Sequence, residues 1–157
     1  MIEQIYTYFT IEMIFMWLNL GVLLFWLVLI IFPQSQICRV FITSIFPIFI
    51  LSLTYGYLLH LFFNEGYDFV KNFELYLGLD AVSNLFTNKA FIILFWLHFL
   101  AMNLFCGGWI VKDSQKFGIN KILMSFPLLI TYFIGPIGLT LYWIIRIFYA
   151  KKINLYD

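Results

Sequence analysis

His98 stands in an apolar run, FWLHFLAMNLFCGGWIVKDSQKFGI (Phe95–Ile119), that is otherwise suited to hydrocarbon. An imidazole titrates near neutrality, so it can take up or release a proton or contact a ligand. Ionisable and amide groups are costly in a bilayer and by default face a bundle interior. The plainer reading of His98 is a hydrogen bond to a neighbouring helix, and the sharper one is proton handling. Asp113 closes the same run beside Lys112. In a loop the two would be a solvated pair worth under about 1 kcal/mol; with His98, Asp113 becomes a second proton-transfer group. At about 100° per residue His98, Met102, Phe105 and Trp109 share one stripe, with Asp113 a turn further on. Asn103 and Gly107 fall on another face, where an amide bridges helices or meets a ligand. His98 and Asp113 are separated by roughly 20 Å of helix axis, so shared chemistry needs a substrate or a second helix between them. His60, at the end of its apolar segment, reads as an interfacial side chain.

A second run, from Pro127 to Arg146, repeats the pattern. Read as one helix, it puts Thr131, Gly135, Gly138, Tyr142 and Arg146 on a single stripe. Small residues there let another helix approach closely, and Pro136 is expected to kink the helix at the same level. Such a kink leaves room for a partner helix or for a ligand. Tyr142 and Arg146 add a polar end that packing alone does not require.

Other chemistries lack their residues. Two histidines cannot supply the His-rich di-iron site of membrane hydroxylases. Gly107-Gly108 alone is no dinucleotide fingerprint, and no serine or cysteine nucleophile has a visible base. Cys38 and Cys106 form neither a CxxC nor a metal-ligand spacing and read as small apolar residues. No metal and no cofactor is expected. A net charge of +1 carries no nucleic-acid footprint.

The elements that must hold these residues are apolar helices. Of the 157 residues, 64% are hydrophobic and 11% charged, and mean hydropathy is +0.96; a soluble domain is roughly 45–50% apolar and about 25% charged. The 20 Phe accompany abundant Ile, Tyr, Asn and Lys, all served by AT-rich codons, and are read as coding bias rather than pigment binding. Four segments, about 11–32, 40–63, 90–111 and 124–149, are each long enough to cross about 30 Å of hydrocarbon. Their continuous apolar character lacks the alternation of a barrel strand. The expectation is an all-α, polytopic, integral membrane protein forming a single four-helix transmembrane domain over 1–157. The leading residues contain two glutamates and no Lys or Arg, unlike a cleavable signal peptide. Between helices two and three, Asn64–Lys89 reads as an interfacial segment or lid, with Asp80 capping a short helix that turns Val82, Leu85 and Phe86 to lipid. Lys and Arg are nearly balanced between the two sides. The short connections are the denser in basic residues and are placed in the cytoplasm, with both termini outside.

The two C-terminal runs resemble the abscisic-acid-deficiency family of small four-helix membrane proteins. The positions that carry the likeness are Trp96, His98, Ala101, Leu104, Phe105, Gly107, Trp109, Asp113, Gly118, Ile119, Pro127, Thr131, Gly135, Pro136, Gly138, Tyr142 and Arg146. The N-terminal half resembles the family more loosely, through Pro33 and Arg39. Plant members are required for making neoxanthin from violaxanthin. The resemblance implies a carotenoid or related isoprenoid as ligand and, if the protein is an enzyme, a cofactor-independent isomerisation of an epoxide to an allene. That reaction needs an acid at the epoxide oxygen and a base at a carbon-bound proton. One departure is Asn103, where the family usually has aspartate; an amide is no general base.

Two readings follow. In the first, the protein binds an isoprenoid in a groove between helices three and four. His98 and Asp113 are then the catalytic candidates, and Trp96, Asn103, Gly107, Trp109, Thr131, Gly135, Pro136, Gly138, Tyr142 and Arg146 contact the ligand. In the second, it is a non-catalytic subunit or assembly factor of a larger membrane complex. Its partners are membrane lipid, the isoprenoid, and either a second copy or another membrane protein, in a bacterial inner membrane or a plastid-type membrane. A transporter ranks third, since four helices without an inverted repeat would need to oligomerise.

Overall fold

The computed structural model describes residues 10–151 and 153, and every regular element among them is helical. Three helices are long and apolar enough to cross a membrane: α1 (Ile11–Ile31), α2 (Phe46–Asn64) and α4 (Lys89–Lys116). A 3-10 helix (Phe69–Tyr76) and the short α3 (Leu79–Leu85) lie between α2 and α4. The remaining helices are α5 (Lys121–Phe133) and α6 (Gly135–Ala150).

Two boundaries differ from expectation for the same reason. Val40 does not begin α2; Cys38–Ile42 is a π-helical turn, and α2 starts at Phe46 with Pro47 in its first turn. The expected helix 124–149 is two helices separated by Ile134, whose φ of −138° and ψ of 79° are not helical, and Pro136 lies in the first turn of α6. Proline lacks the N–H that a helix's first turn leaves unused, so both prolines start helices rather than kink them. Helix α4 runs on past Val111 to Lys116, which puts Asp113 on a helix instead of in a loop.

The chain divides into two compact units, one of residues up to Leu20 with Phe49–Leu100, the other of Gly21–Ile48 with Ala101 onward. In the first, Ile14, Leu18, Leu58, Phe62, Leu94 and Leu97 are buried. Trp96 Nε1 donates to Asn19 Oδ1 at 3.1 Å. Lys89 pairs with Glu12 at 3.2 Å, but both are largely exposed, so the pair contributes little. Gly78, not Asp80, precedes α3, and no side chain caps it; Leu85 faces inward.

In the second unit α4 turns into α5 through Gly118, whose φ of +62° is the left-handed conformation that glycine takes at no steric cost. Ile119 N returns to Ser114 O at 2.9 Å, and Ser114 Oγ lies 2.6 Å from Met124 Sδ. Helix α5 therefore starts beside the end of α4 and runs back along it. At the far end, Gly135 meets the carboxamide of Asn103. Helix α6 then returns in the direction of α4, since Tyr142 and Arg146 reach Asp113. The stretches Asn103–Asp113 and Gly135–Arg146 match, at about 15 Å along each helix. Helices α5 and α6 are thus an antiparallel hairpin in which Gly138 packs against Thr131.

Candidate functional site

The end of α4 brings together three of the residues the sequence singled out, Asp113, Tyr142 and Arg146. Tyr142 and Arg146 sit one turn apart on α6 and point the same way. The Tyr142 hydroxyl and the Arg146 Nε both donate to Asp113 Oδ2, each at 2.7 Å. The Arg146 side chain is 1% exposed and that of Asp113 9%. A carboxylate in the last turns of a helix faces the negative end of the helix dipole, and the guanidinium offsets it. Two aromatic faces complete the setting, with Phe117 at 4.8 Å and Trp143 at 5.4 Å from the guanidinium carbon. Such contacts suit a weakly hydrated, planar cation. Asp113 is thus half of a buried ion pair, not a solvated loop residue beside Lys112.

Trp109, one turn before Asp113, sets its ring edge-on to Tyr142 with centroids 5.6 Å apart. Its neighbourhood on α4 opens into a groove of about 390 Å³ between this helix and the π-helical connection. Ile42, Ile45, Pro47, Leu104 and Phe105 make the groove apolar, while Thr43, Ser44 and Lys112 add polar groups. Gly108 forms part of its floor; a Cβ there would lie 3.9 Å from the Thr43 backbone, an ordinary contact. Trp109 links the groove to the Asp113 cluster.

The glycine stripe is filled from within. A Cβ at Gly107 would come 2.7 Å from the Trp26 ring, one at Gly135 would collide with Asn103, and one at Gly138 with the Thr131 backbone. Gly135, Gly138, Tyr142 and Arg146 do share the buried face of α6, but Thr131 is on the opposing arm. Its hydroxyl donates to Pro127 O at 2.7 Å. Pro136 is exposed at the hairpin tip. Asn103 is buried, and its Nδ2 makes no hydrogen bond within the described residues.

On α4 the inward face is the one carrying Asn103, Leu104, Gly107 and Ile110; Met102 and Phe105 point outward. His98 is exposed and hydrogen-bonds no described residue. Trp96, in the first unit, stacks on Phe99 at 5.2 Å. Sequence reasoning missed Trp26 and Phe117, read Lys112 only as the neighbour of Asp113, and did not see the α1–α2 connection as a groove wall. Aromatic residues in an aromatic-rich chain give no signal, and a groove wall drawn from distant sequence leaves no spacing to read. Both cysteines are free, and burial pushes the Cys38 thiol up to about 11. Among the described residues no group of three His, Cys, Asp or Glu is placed to hold a metal ion.

The family model described as ABA DEFICIENT 4-like matches residues 13–142. The chain belongs to the ABA DEFICIENT 4-like family. The match covers most of the first helix and most of the C-terminal runs, and takes in Asp113 and Tyr142. Arg146 lies just beyond it, one turn after the last matched residue of this ABA DEFICIENT 4-like chain. Neither a curated protein nor a solved structure matches the chain.

Proposed function

We propose that this protein is a multi-pass integral membrane protein that binds a carotenoid or related isoprenoid, with one end of the ligand against Trp109 in the groove beside α4. One observation carries the reading: a largely apolar groove adjoins, through a single tryptophan, a buried carboxylate that holds a tyrosine hydroxyl and a guanidinium. The ligand class is the one that the resemblance to the abscisic-acid-deficiency family implies, and membership of the ABA DEFICIENT 4-like family is in keeping with it. A cavity of about 390 Å³ takes an end ring and leaves the polyene along the lipid-facing side of α4.

The same arrangement supports the epoxide-to-allene isomerisation as the reaction. Asp113 would be the base at the carbon-bound proton, and Tyr142 the hydroxyl that protonates the opening oxygen. Arg146 would steady the carboxylate between turnovers. No redox equivalent is needed, because the reaction moves a proton and a C–O bonding pair within one molecule. His98 is kept as a second proton-handling candidate. In place of four crossings, α1, α2 and α4 cross the bilayer, and the α5–α6 hairpin enters and leaves by one face.

The test is purification in mild detergent from carotenoid-containing membranes, with chromatography of the extracted pigment. Gly108→Leu fills the groove without touching the Asp113 cluster and is expected to abolish carotenoid retention. Asp113→Asn is expected to retain violaxanthin but not convert it. A colourless wild-type protein eluting with other chains would overturn the proposal in favour of a structural subunit.

A further inference from the structure

The 3-10 helix Phe69–Tyr76 repeats every three residues, so side chains three apart lie in line. Its sequence sorts into three stripes. Phe69, Asn72 and Leu75 are half-buried and hold the helix down: the Tyr67 hydroxyl donates to Asn72 Oδ1 at 2.7 Å, and Phe69 packs edge-on to Tyr67 at 4.9 Å. Lys71 and Glu74 face a polar cleft of about 710 Å³ that Glu65, Asp68, Asn84 and Lys89 also line. The third stripe, Val70, Phe73 and Tyr76, touches little; these residues are 73%, 71% and 86% exposed, and Leu77 and Leu79 continue the apolar surface.

This stripe lies between the end of α2 at Asn64 and the start of α4 at Lys89, and both are helices long and apolar enough to cross a membrane. The ends of the two helices line the same cleft, so the segment leaves and rejoins the bilayer at one face. Among 64–89, Glu65, Asp68, Glu74 and Asp80 outnumber Lys71 and Lys89, so an anionic lipid surface gives no electrostatic attraction. Aromatic and aliphatic side chains above a charged face are the composition of an interfacial anchor.

We propose that Val70, Phe73 and Tyr76, with Leu77 and Leu79, seat in the acyl–headgroup boundary of the bilayer and turn the charged cleft behind them to water. Binding there is apolar, not electrostatic.

Nitroxide labels at Phe73→Cys, Tyr76→Cys and Glu74→Cys, in a Cys38→Ala/Cys106→Ala background, test this after reconstitution into phosphatidylcholine vesicles. Power saturation with oxygen and with a water-soluble nickel chelate reads depth. Labels at 73 and 76 are expected to favour oxygen several-fold and the label at 74 to favour nickel, unchanged when phosphatidylglycerol is added. Nickel access at 73 and 76 equal to that at 74 would make the stripe a solvent-facing lid and overturn the proposal. Shielding from both reagents would place a protein there, a second copy or a partner, and would also overturn it.

Discussion

Asp113→Ala would deprive a guanidinium with 1% exposure of its carboxylate. Removing one member of a buried pair costs about 3–5 kcal/mol, whereas exchanging both for apolar residues of similar size is near neutral. The single variant is therefore expected to unfold well below wild type in detergent, and Asp113→Leu/Arg146→Met to recover most of the loss. A double variant as unstable as the single would mean that the loss does not come from leaving Arg146 without this carboxylate. The double variant also separates roles, because it restores the fold without restoring the carboxylate; retained turnover in it would remove Asp113 from the chemistry. Tyr142 and Arg146 were legible as a polar end and Asp113 as a proton-transfer candidate on another helix, but their union was not. Hydropathy ends α4 at Val111, where charges begin, while the helix continues because Arg146 neutralises the carboxylate it carries. His98 stood out by type alone, and type does not say which way a helix face turns.

The α5–α6 hairpin shows what hydropathy can and cannot read at the scale of an element. Three long helices follow from composition, because a continuous apolar run has one stable form in lipid. The hairpin has the same composition as a fourth span and differs only in direction. A Gly-Pro pair at 135–136 is compatible with both a kink and a helix start, so sequence alone does not choose. The structure makes the choice testable through two glycines. A methyl at Gly138 meets Thr131 backbone, which cannot move without opening the hairpin; at Gly135 it meets the end of the Asn103 side chain, which can rotate. Gly138→Ala is expected to cost about 1–3 kcal/mol and Gly135→Ala less, with thermal unfolding in detergent as the measure. Asn103→Ala should rescue Gly135→Ala and leave Gly138→Ala unimproved. Equal losses at both glycines, or rescue of both, would contradict the hairpin's geometry.

For the whole molecule the hairpin, read as entering and leaving by one face, would decide which way the chain is threaded. With four crossings, basic residues are nearly balanced between the faces. With three crossings and a hairpin, Gln115 Nε2 donating to Pro33 O at 2.8 Å ties the α1–α2 connection to the end of α4, and Arg146 joins them there. Arg39, Lys112, Lys116, Lys121, Arg146 and Lys151 then share one face, against Lys71 and Lys89 at the start of α4 and in the segment before it. Under that threading the Lys/Arg rule would make the richer face cytoplasmic. A reporter fused after residue 157 is expected to read cytoplasmic and one before residue 1 to read outside; two reporters on the same face would restore the fourth crossing. The order of synthesis acquires a meaning from the same hairpin. Neither α5 nor α6 reaches the roughly 20 residues that lipid alone will hold, so each is retained by its partner and by the helix already inserted. A ribosome stalled between them would leave the Asn103 amide uncovered by Gly135 and the Asp113 carboxylate without Tyr142 and Arg146. The arrival of the last helix would cover the amide and pair the carboxylate.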